Sequence, residues 1–366
     1  ELWSAASVAK VFDHHKISYS RTATGMPSFT KNFLKTHSHP MAQQVAEARE
    51  LDKLGNTFLS SIFRYTKKGR IHGHINQLRS EGGGTVSGRV SMSNPNLQQI
   101  PARNPKFSGM IRGLFLPEEG EQWASMDYTQ QEPRILVHFS SLTNHGLEGS
   151  EEFVAAYRKD PKTDFHKMVS EIAKIERSEA KTLNLALMYG MGVNRLAETL
   201  DLSVEDAKAL MSQYHDKVPF VKELQEVVQR RVKDAKSQGA IRSLLGRKCR
   251  FDLWEPNLFV SSRALPREEA LHEYGDNIRR AYTYKALNRL IQASAADQTK
   301  AAMVAIKRET KRTPLVQIHD ELAYSVSSKD DAKNLCRIME NAVEMEVPTP
   351  ADIKLGKNWG SLHTIP

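Results

Sequence analysis

Three carboxylates and a cationic helical stripe are the residues of this 366-residue chain best suited to chemistry. Asp127 closes EQWASMDY (Glu121–Tyr128), which reads as a strand. Asp320 and Glu321 sit at the tight turn of PLVQIHDELAYSV (Pro314–Val326), which reads as strand, turn, strand. If both strands belong to one sheet, carboxylates from distant positions meet at its edge. Hard oxygen ligands of this kind hold Mg²⁺, which keeps waters and phosphate oxygens in its shell. Two such ions about 3.5–4 Å apart activate an attacking oxygen and stabilise a leaving one. The bland alternative is an Asp serving as a turn residue or helix cap.

In ERSEAKTLNLALMYGMG (Glu176–Gly192), Arg177, Lys181, Leu185 and Tyr189 recur every four residues and so line one helical face. At 1.5 Å per residue that stripe runs ~18 Å. Its two cations suit a triphosphate, and the Leu and Tyr beyond them suit a sugar and a base. Asp164-Phe165-His166, a little earlier, offers another phosphate donor. Taken alone, the same spacing also describes an ordinary solvated helix face.

These groups need elements to position them. Met41–Tyr65 carries Val45, Leu51, Leu54, Phe58 and Ile62 at helical spacing. A loop-rich stretch from Lys67 to Pro105 follows, with EGGGTVSG and SNPNLQQIP, whose glycines let backbone approach a ligand. After the strand ending at Asp127, a helix starts near Pro133, and residues 163 to 289 read as mostly helical, with breaks at Tyr189–Gly192, Gly239 and Pro256–Pro266. A helix over Leu287–Glu309, the Asp320 hairpin, a helix over Asp330–Met345 and a short strand near Ile353 complete the chain. Carboxylate-bearing strands separated by a large helical insertion predict an α+β fold. No solenoid repeat or low-complexity tract is present.

Composition narrows the class. The net charge is +9, with a pI near 9.3. The excess is concentrated: Arg64–Arg112 carries nine cations against Glu81, and Lys222–Arg250 nine cations against three acids, leaving the rest of the chain net acidic. Two basic blocks are the footprint of a polyanion ligand. No run approaches the ~18 apolar residues of a spanning helix, so no membrane association is expected. Cys249 and Cys336 are too few for a disulfide framework or cysteine metal cluster, which favours a reducing compartment. No secretory leader follows Glu1, and the missing initiator Met suggests a fragment or processed product.

At this point the residues match a family. SGRVSMSNPNLQQIP (Ser87–Pro101), DYTQQEPRILVH (Asp127–His138), RSEAKTLNLALMYG (Arg177–Gly190), NRLIQASAAD (Asn288–Asp297) and IHDE (Ile318–Glu321) stand in the order seen in family A DNA polymerases. The sequence resembles that family over nearly its whole length. AEARELDKLGNTF resembles the helix at the thumb base, and GKNWG the family's C-terminal end. The resemblance implies a right-hand polymerase fold with an antiparallel palm sheet, helical fingers and a partial helical thumb. It divides the chain into partial thumb (1–78), palm (79–138 and 286–366) and fingers (139–285).

The resemblance also implies roles. Asp127 and Asp320, with the Tyr128 backbone carbonyl, would hold two Mg²⁺ ions, Mn²⁺ being able to substitute, and Glu321 would lie near the primer terminus. Lys181 would neutralise triphosphate charge and protonate the leaving pyrophosphate. Arg177 and His166 would grip phosphates, Tyr189 would pack beside the templating position, and Gln130 joins the nucleotide-binding set. Glu132 would fill the space of a ribose 2′-OH as a steric gate. Arg89, Asn96, Gln99, Asn288, Gln292 and His319 match residues contacting primer or template, several from the minor groove, where acceptors are present whatever the base pair. Arg112 and Arg247 would be phosphate contacts.

The implied activity is DNA-templated extension of a DNA primer with dNTPs, releasing pyrophosphate. Expected ligands are primer–template DNA and dNTPs. A monomer in bacterial or phage-infected cytoplasm is expected, an organelle being the alternative, with any processivity partner left open. Rival readings are a single-subunit RNA polymerase and a catalytically idle DNA-binding protein. Leu185 stands where many relatives carry Phe or Tyr, and Ala186 where Gly is usual. Nothing upstream of residue 60 offers the acidic clusters of a proofreading exonuclease, so none is expected in this chain.

Overall fold

The computed structural model describes residues 1–80, 83–102, 105–234, 238–258 and 262–365. Glu81, Gly82, Arg103 and Lys236, counted above in the glycine loop or basic blocks, lie outside them, as does the Lys106 side chain. The alternation in QWASMDY forms strand β1 (Gln122–Tyr128). It is followed by helices α1 (Gln131–Leu142), α2 (Phe165–Ala173), α3 (Arg177–Met188) and α4 (Ala286–Thr310). Strands β2 (Val316–Ile318) and β3 (Glu321–Val326), helix α5 (Lys329–Glu340), and strands β4 (Ala351–Gly356) and β5 (His363–Thr364) come last.

The five strands make one antiparallel sheet in the order β2-β3-β1-β4-β5. The earliest strand is therefore central, flanked by partners that follow the whole helical insertion. Side chains alternate between faces. Ala124, Met126 and Tyr128 of β1 join Leu322, Tyr324 and Val326 of β3 in a core closed by Ala302 and Ile306 of α4 and Leu335, Ile338 and Met339 of α5. The opposite face carries Ser125, Asp127, Glu321 and Asp352. The hydrophobic effect assigns one face to the helices, and the carboxylates take the other.

Helix α1 begins two residues ahead of Pro133, which the first turn tolerates because its missing N–H would have no partner there. Its placement is locked by Arg134, fully buried, whose guanidinium donates to the carbonyls of Thr129 (2.7 Å), Pro348 (2.7 Å) and Pro161 (2.6 Å). The same group lies 4.3 Å from the centroid of the Tyr157 ring. Gln131 ties α1 to α4 through Gln298 Oε1 (3.0 Å) and Thr299 Oγ1 (3.2 Å). The insertion packs around Phe153, whose ring centroid is 5.2 Å from that of Phe165 and 5.1 Å from that of Phe220.

Beyond residue 233 the expectation of mostly helix as far as residue 289 holds only over Arg267–Tyr274 and from Ala286. A hairpin (Ala240–Arg242 with Lys248–Arg250) and a three-stranded sheet (Leu265–Pro266, Leu253–Pro256, Ile278–Arg280) follow. These strands run two to four residues, too short to print a period-two pattern.

Residues 1–74 with 93–114 form one compact unit, and 75–92 with 115–366 the other. The first is helical, as the spacing predicts: Pro40–Lys53 continues through a π-helical stretch (Leu54–Leu59) into Ser60–Tyr65. Its small core gathers Val8, Phe12, Phe29, Leu34 and Ala42. Among the described residues no helix is long and apolar enough to cross a membrane.

Candidate active site

Asp127 is directly opposite Glu321 on β3 and Asp352 on β4, so three carboxylates share one face of the sheet. The two-residue turn His319-Asp320 joins β2 to β3, with His319 in the left-handed region (φ 55°), which His adopts more readily than most residues. The Tyr128 amide donates to the Asp320 carbonyl at 3.4 Å, bringing the turn against the end of β1. Ser125 Oγ donates to Glu321 Oε1 at 2.6 Å.

Burial, then the charges of Asp320 and Glu321, pushes the Asp127 carboxyl up to about 7, Lys354 opposing weakly. Burial also raises Asp320, while Arg89 and His319 pull the other way. Asp127 Oδ1 is buried with no hydrogen-bond partner. A buried anionic oxygen left unpaired is costly, and a hard cation resolves both that cost and the mutual repulsion. Among the described residues no three His, Cys, Asp or Glu side chains converge on an ion. The oxygens of Asp127 and Asp320 would instead suit Mg²⁺ bound partly through phosphates and water.

Glu132, on the first turn of α1, accepts from Arg89 Nη2 (2.5 Å) and from the Tyr189 hydroxyl (2.7 Å). Burial and the Glu132 charge hold the Tyr189 phenol up, so it stays a donor, and Gln292 is half-buried on α4. The structure thus links Arg89, Glu132 and Tyr189, scattered over three motifs, into one network. Asn288 lies on the first turn of α4, and His319 is exposed.

The predicted stripe is real. Arg177 and Lys181 are exposed, Leu185 and Tyr189 half-buried, while Ala180, Leu183, Asn184 and Leu187 face the core. Arg177 donates twice to Asp164 Oδ2 (2.9 and 2.5 Å), and Asp164 Oδ1 caps α2 through the amides of His166 and Lys167. Gln130 Oε1 accepts from the Phe165 amide (2.9 Å), fastening the start of α2 to that of α1.

Two residues that sequence reasoning did not single out set the state of His166. Tyr214 donates to Asn184 Oδ1 (2.6 Å), which turns the Asn184 amide nitrogen toward His166 Nδ1 (2.9 Å). His166 Nδ1 must then accept, so the ring is neutral with its proton on Nε2, and burial lowers its basicity in the same direction. Asn184 was legible only as a polar residue on the buried side of the stripe.

Arg247 is deeply engaged. Its Nε donates to Asp297 Oδ1 (2.9 Å) and its Nη2 to the carbonyls of Ser87 (2.7 Å) and Ala293 (3.0 Å). Gly88, at φ +82°, admits it: a Cβ there would come within 2.6 Å of the guanidinium. Asp297 is only 7% exposed and also accepts from Ser243 Oγ. Arg247→Ala should therefore destabilise the protein by about 3–5 kcal/mol by stranding a buried carboxylate. The check is the urea midpoint at unchanged slope; an unshifted midpoint would remove Arg247 from that role. Asn96, Gln99 and Arg112 lie in the first compact unit, where Asn96 Oδ1 accepts from the Gln98 amide (3.1 Å) and Arg112 Nε donates to the Pro101 carbonyl (3.1 Å).

An antiparallel sheet presenting clustered carboxylates, beside a helical insertion whose exposed stripe begins with cations, is the architecture of a right-hand polymerase. Residues 2–361 match the model of DNA polymerase family A, and the chain belongs to that family. It is 35% identical to a DNA-directed DNA polymerase of Pseudomonas phage M6, with 98% of this chain and 57% of that protein aligned. It is 31% identical to the thermostable DNA polymerase I of Thermus filiformis, covering 88% of this chain and 36% of that one. The chain thus spans little more than half the length of the phage relative. Among solved structures it resembles the POL domain of Pol1 from M. smegmatis in complex with DNA primer-template and dNTP. That match has a TM-score of 0.76 and 27% identity over 99% of this chain and 62% of that chain.

Proposed function

We propose that this chain extends the 3′ end of a DNA primer on a DNA template, adding deoxynucleotides and releasing pyrophosphate. The observation that carries the reading is the Asp127–Asp320 carboxylate pair with its unpartnered Asp127 Oδ1. Asp127, Asp320 and the Tyr128 carbonyl would hold two Mg²⁺ ions, or Mn²⁺ in their place. Bound there, the ions would ease deprotonation of the primer hydroxyl and neutralise charge on the leaving pyrophosphate.

The protein's own groups supply position and charge, which is most of what phosphoryl transfer asks. Lys181 and Arg177 meet the triphosphate, Asp164 holding the Arg177 guanidinium in place. His166, kept neutral by Asn184, offers Nε2–H to a phosphate oxygen. Glu132, held from both sides, occupies the space beside the sugar 2′ position, and Leu185 faces the sugar. Arg89, Gln292, Asn288 and His319 serve the primer–template near the site; Asn96, Gln99 and Arg112 serve it from the first compact unit, and Glu321 stands near the primer end. Thumb, palm and fingers follow the divisions 1–78, 79–138 with 286–366, and 139–285. One chain supplies every site residue, so a monomer suffices, working wherever DNA and dNTPs occur, as in a bacterial or phage-infected cytoplasm.

The test is extension of a labelled primer with dNTPs and then NTPs. Extension with dNTPs only is expected, and Lys181→Ala should lower the single-turnover rate roughly 100- to 1000-fold, as losing one charge-stabilising donor does. No extension by well-folded protein, or preference for NTPs, would overturn the reading.

A further inference from the structure

Outside the carboxylate site a second concave surface, a cleft of about 430 Å³, runs along α4 beside the turn of the hairpin that ends in Lys248–Arg250 and the residues just after α5. Asp297, Lys300, Ala301, Val304, Ala305 and Arg308 line it from α4, and Leu245 and Ala342 close it. These α4 positions recur at three- and four-residue steps and so share one side of the helix. Ala302 and Ile306 occupy the other side, where they pack against the apolar face of the sheet. The cleft therefore opens away from the face that carries Asp127 and Glu321.

Its chemistry is an apolar floor between two free cations. Leu245 and Val304 are 56% and 47% exposed, so a covering surface would remove both from water. Asp297, the one acid of the lining, is matched by Arg247 at 2.9 Å, and the net charge rests on Lys300 and Arg308. Among the described residues neither of those side chains is hydrogen-bonded or ion-paired. Lys300 is half-buried, and burial followed by the Arg247 charge lowers its basicity. A carboxylate brought beside it would offset both.

Val304 stands one turn from each cation, and Lys300 and Arg308 are ~12 Å apart along the axis at 1.5 Å per residue. A second helix laid alongside repeats that spacing turn for turn, with an apolar side chain at one position and acids one turn to either side. Nucleic acid would bring anions to the rim but nothing apolar to cover Leu245 and Val304.

We propose that this cleft docks a short acidic helix of a partner protein. An apolar side chain of that helix sits between Leu245 and Val304, and its flanking carboxylates pair with Lys300 and Arg308. The inference concerns a surface outside the carboxylate site and stands whether or not the polymerase reading holds.

The test uses a fluorescein-labelled, alanine-based helical peptide carrying Leu with a Glu one turn before and one turn after it. Its binding to the full chain is read by anisotropy at about 0.15 M salt, where long-range attraction to a basic protein is screened. Saturable binding is expected, weakened roughly 10-fold by Lys300→Glu or Arg308→Glu, each of which turns an attraction into a repulsion. Val304→Asp should weaken it as well. A peptide with Ala for Leu should bind about 10-fold more weakly, and an isomer with both glutamates moved to the opposite face should lose a similar factor. Arg308 is exposed, so Arg308→Glu spares the fold, and its affinity for primer–template DNA should be unchanged. No saturable binding, equal binding of the isomeric peptide, or wild-type binding by the charge-reversed variants would overturn the proposal. Primer–template affinity falling in step with peptide affinity would make the cleft a DNA track and overturn it too.

Discussion

Asp127→Asn should abolish primer extension and at the same time make the metal-free protein more stable. The rate loss is expected to reach at least about 1000-fold, because removing an anionic ligand forfeits several kcal/mol of transition-state charge stabilisation. The stability gain follows from burial and like charge, which push the Asp127 carboxyl up to about 7. A carboxyl raised in the folded state binds its proton more tightly there than in the unfolded chain. Stability therefore falls as pH rises from about 4 to about 7, and the cost is fully present above that window. At roughly 1.4 kcal/mol per unit, relieving it contributes about 4 kcal/mol, or a few degrees of melting temperature. Thermal melts in EDTA should show the mutant ahead of wild type at pH 8, with the gap closing toward pH 5, where wild type is already protonated. Added Mg²⁺ should stabilise wild type by mass action and the mutant far less. A mutant no more stable than wild type at pH 8 would mean that Asp127 does not sit in a repulsive, desolvated cluster.

Substituting Glu132 should change which sugar the enzyme accepts. Its carboxylate is held between Arg89 and Tyr189, so it cannot swing aside to admit a 2′-OH without breaking two charge-assisted hydrogen bonds. Glu132→Ala should lower the ratio of kcat/KM for matched dNTP over rNTP by about 100-fold, chiefly by raising rNTP use. It should also slow dNTP addition, since Arg89 and Tyr189 lose their common anchor. Glu132→Gln keeps the volume while losing the charge, so it separates two origins of the gate: retained discrimination means sterics, lost discrimination means the ionic tether. An unchanged ratio in the Ala variant would remove Glu132 from sugar selection altogether.

Local patterns in the sequence determined much of this protein. Alternation in QWASMDY specifies a strand with Asp127 on its polar face, and the four-residue recurrence of Arg177, Lys181, Leu185 and Tyr189 specifies a helical stripe, because both periods are properties of the backbone. The two-residue turn carrying Asp320 was legible for the same reason. What only the tertiary structure decided was partnership. Asp352 is opposite Asp127 because β4 pairs with β1 in one register, and a shift of one residue would turn it to the other face. Arg134 reads as one more charge in PRILVH, yet it is fully buried and satisfied by three carbonyls from separate segments. Arg247 reads as a phosphate contact, and only the fold shows that its guanidinium also meets Asp297 and two carbonyls. The sheet bearing Trp254 left no periodic trace, since its strands are shorter than the window in which a period shows. Side-chain periodicity is set by neighbours along the chain; the partner of a buried charge is set by which distant segment the core brings beside it.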